Sequence, residues 1–183
     1  MNTVNAISKD EVMVVHTLLS TKFGCIYADV FKVGCNMALR ITDLLSLKFE
    51  DLDLIAKEVH IMEGKTGKLR PIRLNAPAIE VIKKRRKNYP HHTYLFEVDC
   101  NRAKEKPISR VSISRVFKEA GDMLGLTINT HSMRKSRGKA MFDAGLPVEK
   151  IAKVLNHGST TTTLRYIGIE KEQIMQTYDD FEL

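Results

Sequence analysis

Apolar residues recur with the 3.6-residue period of an α-helix over much of the chain. Ser8 stands three residues before Glu11, which is the spacing of a capping box, so a first amphipathic helix is predicted to begin near residue 9. Helical spacing then predicts a second helix over residues 27–37 and a third over residues 42–47. The first part of the chain is therefore expected to be helical.

The spacing of apolar residues changes after Lys48. Apolar residues in the ranges 49–54, 59–61 and 69–74 predict three short strands. Gly64 and Gly67 are typical turn residues between the last two of them. This part of the chain is predicted to form a small antiparallel sheet.

Helical spacing returns after Pro77 and continues to the C-terminus, apart from an irregular stretch over residues 89–107. Ser159 is a candidate cap for one of these later helices. The later helices are predicted after Pro77 and over residues 108–124, 131–143, 148–155, 160–166 and 170–178. Because no linker or repeat interrupts them, the prediction is an α+β, mostly helical fold with a three-stranded antiparallel sheet, in a single domain over residues 1–183.

Composition and charge narrow the choice of partners. The 183-residue chain carries 29 Lys and Arg against 22 Asp and Glu, and a net charge of +7 favours polyanions such as nucleic acid. The basic run 83–87 is interpreted as a solvated face, with contact to a nucleic-acid backbone as the alternative. Three scattered cysteines form no CxxC pair, and no apolar run approaches the roughly 20 residues of a membrane span. We expect a cytoplasmic protein without a membrane partner.

Four residues near the C-terminus have the chemistry to attack a phosphodiester: His131, Arg134, His157 and Tyr166. Without a metal, that reaction requires a nucleophile, cations for the phosphate oxygens and a proton donor for the leaving oxygen. Tyr166 is the candidate nucleophile, and its phenol must first lose a proton that ordinarily leaves at a pKa of about 10. His131 and Arg134 are three residues apart, so a helix places them on one face. Thr130 is a candidate cap for that helix.

These residues belong to a longer ordered pattern. The segment 38–47 contains Arg40, the segment 64–72 contains Lys65, and His131, Arg134, His157 and Tyr166 follow. Their order and spacing resemble the catalytic domain of the tyrosine recombinases, the phage integrase and Xer-like family. The resemblance covers essentially the whole chain.

The resemblance implies a mechanism without metal or cofactor. Tyr166 would form a 3′-phosphotyrosyl link, while Arg40 and Arg134 clamp the phosphate. His131 and His157 would assist, and Lys65, rather than Lys68, would protonate the leaving 5′ oxygen. Asp43 would orient the guanidinium of Arg40.

The same resemblance implies double-stranded DNA as the partner, self-association in a tetrameric synapse, and association with the nucleoid when DNA is bound. The DNA-binding residues would be Arg110, Ser112, Arg115 and Lys135. Where Ala38 and Asn156 stand, the family usually has glycine, and Asn156 is expected to tolerate a left-handed conformation. No N-terminal core-binding domain is expected, and the tail 167–183 is predicted to dock on its own domain or on a neighbouring protomer. Its predicted apolar anchors are Ile167, Ile169, Ile174 and Met175.

Several alternatives compete with a site-specific recombinase. A type IB topoisomerase-like enzyme would use the same residues to relax DNA, and an inactive accessory protein would bind DNA without cutting it. Tyr178 is a competing nucleophile by residue type. A zinc site built from His91, His92, His131 and His157 was rejected, because no cysteine or carboxylate at ligand spacing completes it.

Overall fold

The computed structural model of the protein describes residues 6–62, 64, 67, 69–99, 105–168 and 178–180. This part of the chain contains eight α-helices and one small sheet. The elements in chain order are α1 Lys9–Leu18, α2 Cys25–Met37, α3 Ile41–Leu45, β1 Leu52–Asp53, β2 Glu58–Met62, β3 Leu69–Arg73, α4 Ala76–Asn88, α5 Arg110–Leu124, α6 Ser132–Asp143, α7 Val148–Leu155 and α8 Thr160–Ile167. The predicted mostly helical α+β fold is confirmed.

Side-chain caps begin several of the helices where the sequence predicts them. The Ser8 hydroxyl accepts from the Glu11 amide at 3.2 Å, and the Glu11 carboxylate accepts from the Ser8 amide at 2.6 Å, so the capping box is present. Ser159 caps α8 by accepting from the Thr162 amide. The predicted Thr130 cap of α6 is wrong, because His131 occupies the cap position without a side-chain bond.

The sheet has the order β1-β2-β3, and both pairs are antiparallel. Val59 on the central strand stands opposite Leu52 on one side and Ile72 on the other, and all three side chains are buried. Phe49, predicted in the first strand, instead opens a 3-10 turn over Phe49–Asp51. The Asp51 carboxylate accepts from the Lys48 amide there, which closes the turn and delays the strand.

Two glycines allow α6 to lie close to its neighbours. A Cβ atom at Gly34 of α2 would stand 2.2 Å from the Met133 sulfur, and one at Gly138 would stand 2.7 Å from Ile167. The hydrogen side chains therefore let α6 pack tightly between α2 and α8. A small apolar cluster of Ala38, Ile151, Leu155 and Ile167 joins the end of α2 to α7 and α8. Ile167, a predicted anchor of the tail, is thus buried within its own chain.

The basic run 83–87 is not uniformly solvated, so this interpretation is wrong for Arg85. Its side chain is buried and donates to the Leu95 carbonyl at 2.6 Å and to the Asp29 carboxylate at 3.2 Å. A third bond reaches the Glu97 carbonyl. Arg85 thereby attaches the irregular stretch after α4 to the core.

Of the C-terminal helix predicted over residues 170–178, only Tyr178 is described, and it begins a helical stretch over residues 178–180. Its other predicted apolar residues, Ile169, Ile174 and Met175, lie outside the described residues. Across the described ranges, no helix combines the length and the apolar character that crossing a bilayer requires.

Candidate active site

Tyr166 on α8 lies against both predicted histidines. Its hydroxyl is 3.4 Å from Nδ1 of His131 and 3.5 Å from the His131 carbonyl oxygen, to which it can donate. The Tyr166 and His157 rings meet edge to face with centroids 4.8 Å apart. The fold therefore brings together side chains from α8, the start of α6 and the residues after α7.

Arg134 is held by the carbonyl ends of two helices. Its guanidinium donates to the Ala38 carbonyl at the end of α2 and, at 2.5 Å, to the Leu155 carbonyl at the end of α7. The last carbonyls of a helix lack intrahelical partners and carry partial negative charge, so they suit a cation. Only 3% of Arg134 is exposed, and these bonds fix its position.

Arg40 reaches the same region from the start of α3. It donates to the Asn156 carbonyl at 3.4 Å. Asn156 ends α7 with φ 48°, and Ala38 ends α2 with φ 53°, so both residues that replace the family's glycines are left-handed. The expected left-handed conformation of Asn156 is confirmed. Their carbonyls accept from Arg40 and Arg134 respectively, so the two helix ends position both arginines.

The environment of Tyr166 contains opposing influences on its pKa. The pKa of the phenol is raised above its ordinary value, because burial outweighs the charge and hydrogen bond of Arg134 and the charge of Arg40, which lower it. The Lys135 ammonium lies 5.4 Å from the centre of the Tyr166 ring. Positive charge therefore surrounds the oxygen that would have to become a phenolate.

The surroundings of His131 favour its neutral form. Burial lowers the pKa of its imidazole, and the positive charges of Arg134, Arg110, Lys135 and Arg40 lower it further. A neutral imidazole can accept a proton near pH 7. Its Nδ1 atom faces the Tyr166 hydroxyl, so His131 is a candidate base for this phenol.

His157 is oriented by Thr163, a residue that the sequence analysis did not identify. The buried Thr163 hydroxyl donates to the Ser159 carbonyl at 3.1 Å and lies 3.1 Å from Nδ1 of His157. Because the hydroxyl proton is already used, Thr163 accepts from the imidazole, which assigns the proton to Nδ1. The Nε2 atom of His157 then carries the lone pair. No sequence signal distinguishes Thr163 from the three threonines before it.

Asp43 does not have the partner that the resemblance implied. One carboxylate oxygen accepts from the Gly64 amide at 3.3 Å, whereas the other is buried without a hydrogen-bond partner among the described residues. Asp43 therefore contacts the turn between β2 and β3 rather than Arg40. Lys65 on that turn lies outside the described residues, and its predicted role stays a prediction.

The predicted DNA-binding residues occupy different environments. Arg110 is exposed at the start of α5, close enough for its charge to act on His131, and Arg115 is exposed further along this helix. The Ser112 hydroxyl instead shares a 2.9 Å hydrogen bond with the Tyr27 hydroxyl. Lys135 lies over Tyr166. Arg110 and Lys135 are thus next to the candidate active site.

The four histidines of the rejected zinc site occupy two separate environments. His131 and His157 lie against Tyr166, whereas His91 and His92 both contact Asp99. Rejection of the four-histidine site agrees with this arrangement. The argument that no carboxylate accompanies any histidine pair was wrong, because Asp99 approaches His91 and His92 across a loop.

Comparison with known proteins places this geometry in a family. A family model described as the phage integrase family matches residues 6–173. The chain belongs to this family. The match includes all six predicted catalytic positions, from Arg40 to Tyr166.

Individual members of the phage integrase family support the assignment. The chain is 34% identical over 155 residues to the probable integrase/recombinase YoeC of Bacillus subtilis, covering 83% of this chain and 82% of YoeC. It is 28% identical over 142 residues to the tyrosine recombinase XerA of Pyrococcus furiosus, covering 77% of this chain and 49% of XerA. The chain therefore matches about half the length of XerA.

A solved structure shares the fold. The integrase of the Tn1549 transposon, in complex with a circular intermediate DNA, superposes with a TM-score of 0.76 at 17% identity. The match covers 99% of this chain and 67% of the Tn1549 chain. At this identity the similarity shows the fold alone.

Proposed function

We propose that the protein is a site-specific DNA recombinase that cuts and rejoins DNA strands through a covalent link to Tyr166. The observation that carries the proposal is the convergence of Tyr166, His131 and two arginines fixed by helix-end carbonyls. Membership of the phage integrase family supports the same reaction. YoeC and XerA carry recombinase names, and the related Tn1549 integrase was solved on DNA.

In the proposed first step, the Tyr166 oxygen attacks the scissile phosphorus. The phenolic proton passes to Nδ1 of His131, which lies 3.4 Å away. The bond between the phosphorus and the 5′ oxygen breaks, which leaves a 3′-phosphotyrosyl link on one strand end and a 5′-hydroxyl on the other. The reverse step, with a 5′-hydroxyl of another strand, rejoins the DNA. The number of phosphoester bonds is unchanged, so the chemistry requires no ATP.

Two guanidiniums stabilise the charge that develops on the phosphate. A guanidinium carries five N–H donors in a planar fork, and the carbonyl bonds of Arg134 to Ala38 and Leu155 orient that fork. Arg40 approaches from the neighbouring helix end. Donors that are fixed before the reaction lose little energy to reorganisation when the charge forms.

The other roles follow the family resemblance. Lys65 is proposed to protonate the leaving 5′ oxygen, and Nε2 of His157, which carries a lone pair, is proposed to accept a proton during the reaction. Double-stranded DNA is the proposed partner, with Arg110, Arg115 and Lys135 near the strand that is cut. Ser112 contributes to α5 packing through Tyr27 and is a weaker candidate.

Residues 1–183 are proposed to act as a single catalytic domain. Several protomers would assemble on paired DNA sites, and the segment after Gly168 is proposed to dock on a neighbouring protomer. Bound to DNA in the cytoplasm, the protein would lie with the nucleoid. No observation on the described residues favours the topoisomerase-like or accessory alternatives.

Covalent trapping tests the proposed function. The substrates are nicked suicide duplexes that together cover the DNA flanking the gene. In each duplex, the nick makes the fragment that carries the new 5′-hydroxyl short, so this fragment diffuses away and cannot rejoin. Wild-type protein should form a denaturant-resistant adduct on one of these duplexes, and Tyr166→Phe should form none. An adduct in the Phe variant would contradict Tyr166 as nucleophile. Relaxation of supercoiled DNA without recombinant product would favour the topoisomerase alternative.

A further inference from the structure

The loop after α4 holds three potential metal ligands that the proposed function does not use. Nε2 of His91 lies 3.2 Å from Oδ1 of Asp99, and Nε2 of His92 lies 2.9 Å from the same oxygen. The three ligand atoms all lie within 4.8 Å of one another. Among the described residues this is the one group of three or more such side chains with that proximity.

We propose that His91, His92 and Asp99 form a binding site for a divalent transition metal, with zinc as the first candidate. Imidazole nitrogens and carboxylate oxygens are common zinc ligands, at about 2.0–2.2 Å from the ion. In a tetrahedral site, neighbouring ligand atoms then stand roughly 3.3 Å apart. The two nitrogen–oxygen distances are already close to this value. Water would supply the remaining coordination.

The buried part of the site is ordered before any metal binds. Only 1% of the His92 side chain is exposed, and its ring stacks on Tyr89 with centroids 4.8 Å apart and planes 9° apart. Nδ1 of His92 is buried without a hydrogen-bond partner in the described part of the chain. The polar contact of this ring with Asp99 is therefore made through Nε2, the atom that a metal ion would use.

The loop between the ligands is also fixed. The Glu97 carboxylate accepts from the Thr93 amide at 2.8 Å and from the Tyr94 amide at 3.0 Å. Arg85 donates to the carbonyls of Leu95 and Glu97. Since His92 and the loop are already held, binding would order little more than the two outer side chains, so the entropic cost is small.

The two outer ligands can adjust to an ion. His91 and Asp99 have 66% and 60% of their side chains exposed, so an ion and its waters can reach them. Small rotations of these side chains would close the ligand triangle. A bound ion would then link the residues just after α4 to Asp99 and strengthen this loop.

The direct test is metal binding by tag-free, metal-stripped protein. Zinc is measured by equilibrium dialysis, and cobalt by its visible absorption, which reports the ligand geometry. The wild-type chain should bind one ion. His91→Ala and Asp99→Ala should each weaken binding by more than about tenfold, because even an outer-shell partner is worth that much. Zinc at 100 times its dissociation constant should raise the wild-type melting temperature by about 5–10 °C, but not that of Asp99→Ala.

His60→Ala is the matched control, because His60 also contacts an exposed carboxylate, Glu58 at 3.3 Å, but the pair has no second histidine. This variant should bind as the wild type does. Cys100→Ser should also retain binding, which excludes a thiolate site. Absence of binding to the wild type, or equal binding by wild type and His91→Ala, would overturn the proposal. Neither result depends on DNA cleavage, so the proposed recombinase activity is tested separately.

Discussion

Two buried arginines in this protein have the same exposure but different partners. Arg85 and Arg134 are each 3% exposed. Arg85 forms an ion pair with the buried Asp29 carboxylate and bonds two carbonyls of the following loop. Arg134 bonds the carbonyl ends of α2 and α7, and its charge acts on His131 and Tyr166.

The difference shows how burial serves two purposes. The Asp29 carboxylate largely neutralises the charge of the Arg85 guanidinium. The pair joins α2 to α4, and the carbonyl bonds of Arg85 attach the loop after α4. Main-chain carbonyls orient a guanidinium without cancelling its unit charge. Arg134 is therefore positioned by its carbonyl partners while its charge still influences the candidate active site. The partners, and not the degree of burial, separate the structural arginine from the proposed catalytic one.

Replacing each arginine should give opposite results, and these are the largest effects expected. Arg134→Lys keeps the charge but loses the planar fork, so adduct formation should fall by about 10²-fold or more. Arg85→Met removes the buried partner of Asp29 and leaves the exposed Lys84 ammonium 4.0 Å from its carboxylate, so the free energy of unfolding should fall by about 3–5 kcal/mol. Urea unfolding and covalent trapping measure the two quantities on both variants.

The control for this pair is activity at low temperature. Below its melting temperature, Arg85→Met should form adduct at close to the wild-type rate. If Arg85→Met loses adduct formation while folded, or Arg134→Lys keeps it, the distinction between the two arginines is wrong.

The pH dependence sharpens the comparison by testing whether the charge of Arg134 and its neighbours acts on His131. Burial and these charges lower the pKa of His131 from its ordinary value of 6.5. A base must be neutral to accept the Tyr166 proton, so the rate should fall about tenfold per pH unit below that lowered pKa. The rate of adduct formation between pH 4.5 and 8 should therefore have its midpoint below 6.5.

Arg110 and Arg115 provide a matched pair of variants for this profile. The Arg110 charge contributes to the lowered pKa of His131. Arg110→Ala should therefore move the midpoint toward higher pH, while Arg115→Ala on the same helix should leave it in place. A wild-type midpoint above 6.5, or equal shifts in the two variants, would argue against His131 as the base.

A smaller effect is expected from the side chain that orients His157. Thr163→Val removes the hydroxyl that accepts from Nδ1, so the imidazole loses its preferred tautomer. Adduct formation should slow by roughly tenfold, in line with the loss of a supporting hydrogen bond. Thr161→Val, at an exposed position in the same run of threonines, is the control. Equal rates for the two variants would remove Thr163 from the site.

The smallest effect concerns the left-handed end of α2. A left-handed alanine costs roughly 1–2 kcal/mol of stability. Glycine avoids this strain, but the greater entropy of its unfolded chain lowers the free energy of unfolding by up to about 1 kcal/mol. Ala38→Gly should therefore change stability by less than about 1 kcal/mol or increase it. Ala28→Gly, buried within the same helix, should destabilise by about 1 kcal/mol or more. Thermal unfolding of both variants measures these changes in stability. A large loss of stability in Ala38→Gly would contradict the strain assigned to Ala38.

The sequence predicted those parts of the fold that depend on local chemistry. The capping residues Ser8 and Ser159 act within four residues of themselves, so their helices begin where expected. The 3-10 turn at Phe49–Asp51 and the burial of Arg85 were missed. Arg85 stands in a run of basic residues, and only the tertiary approach of Asp29 distinguishes it from its neighbours.

In the candidate active site, too, the sequence predicted the residues but not their tertiary partners. The order and spacing of Arg40, Arg134 and Tyr166 carried the family resemblance, and the structure brings these residues together. The helix-end carbonyls that hold the arginines could not be predicted, since every residue has a carbonyl and only the fold selects those of Ala38, Leu155 and Asn156. Asp43 and Asp99 show the same limit for carboxylates, because their partners lie across turns and loops.

The most direct test of the central claim is to identify the residue that carries the DNA in the trapped adduct. Trypsin would release Tyr166 in the peptide 166–171 and Tyr178 in the peptide 172–183, so mass spectrometry distinguishes the two phenols. We predict a nucleotide attached through its 3′ phosphate to peptide 166–171. A nucleotide on peptide 172–183, or on any residue other than Tyr166, would contradict the account.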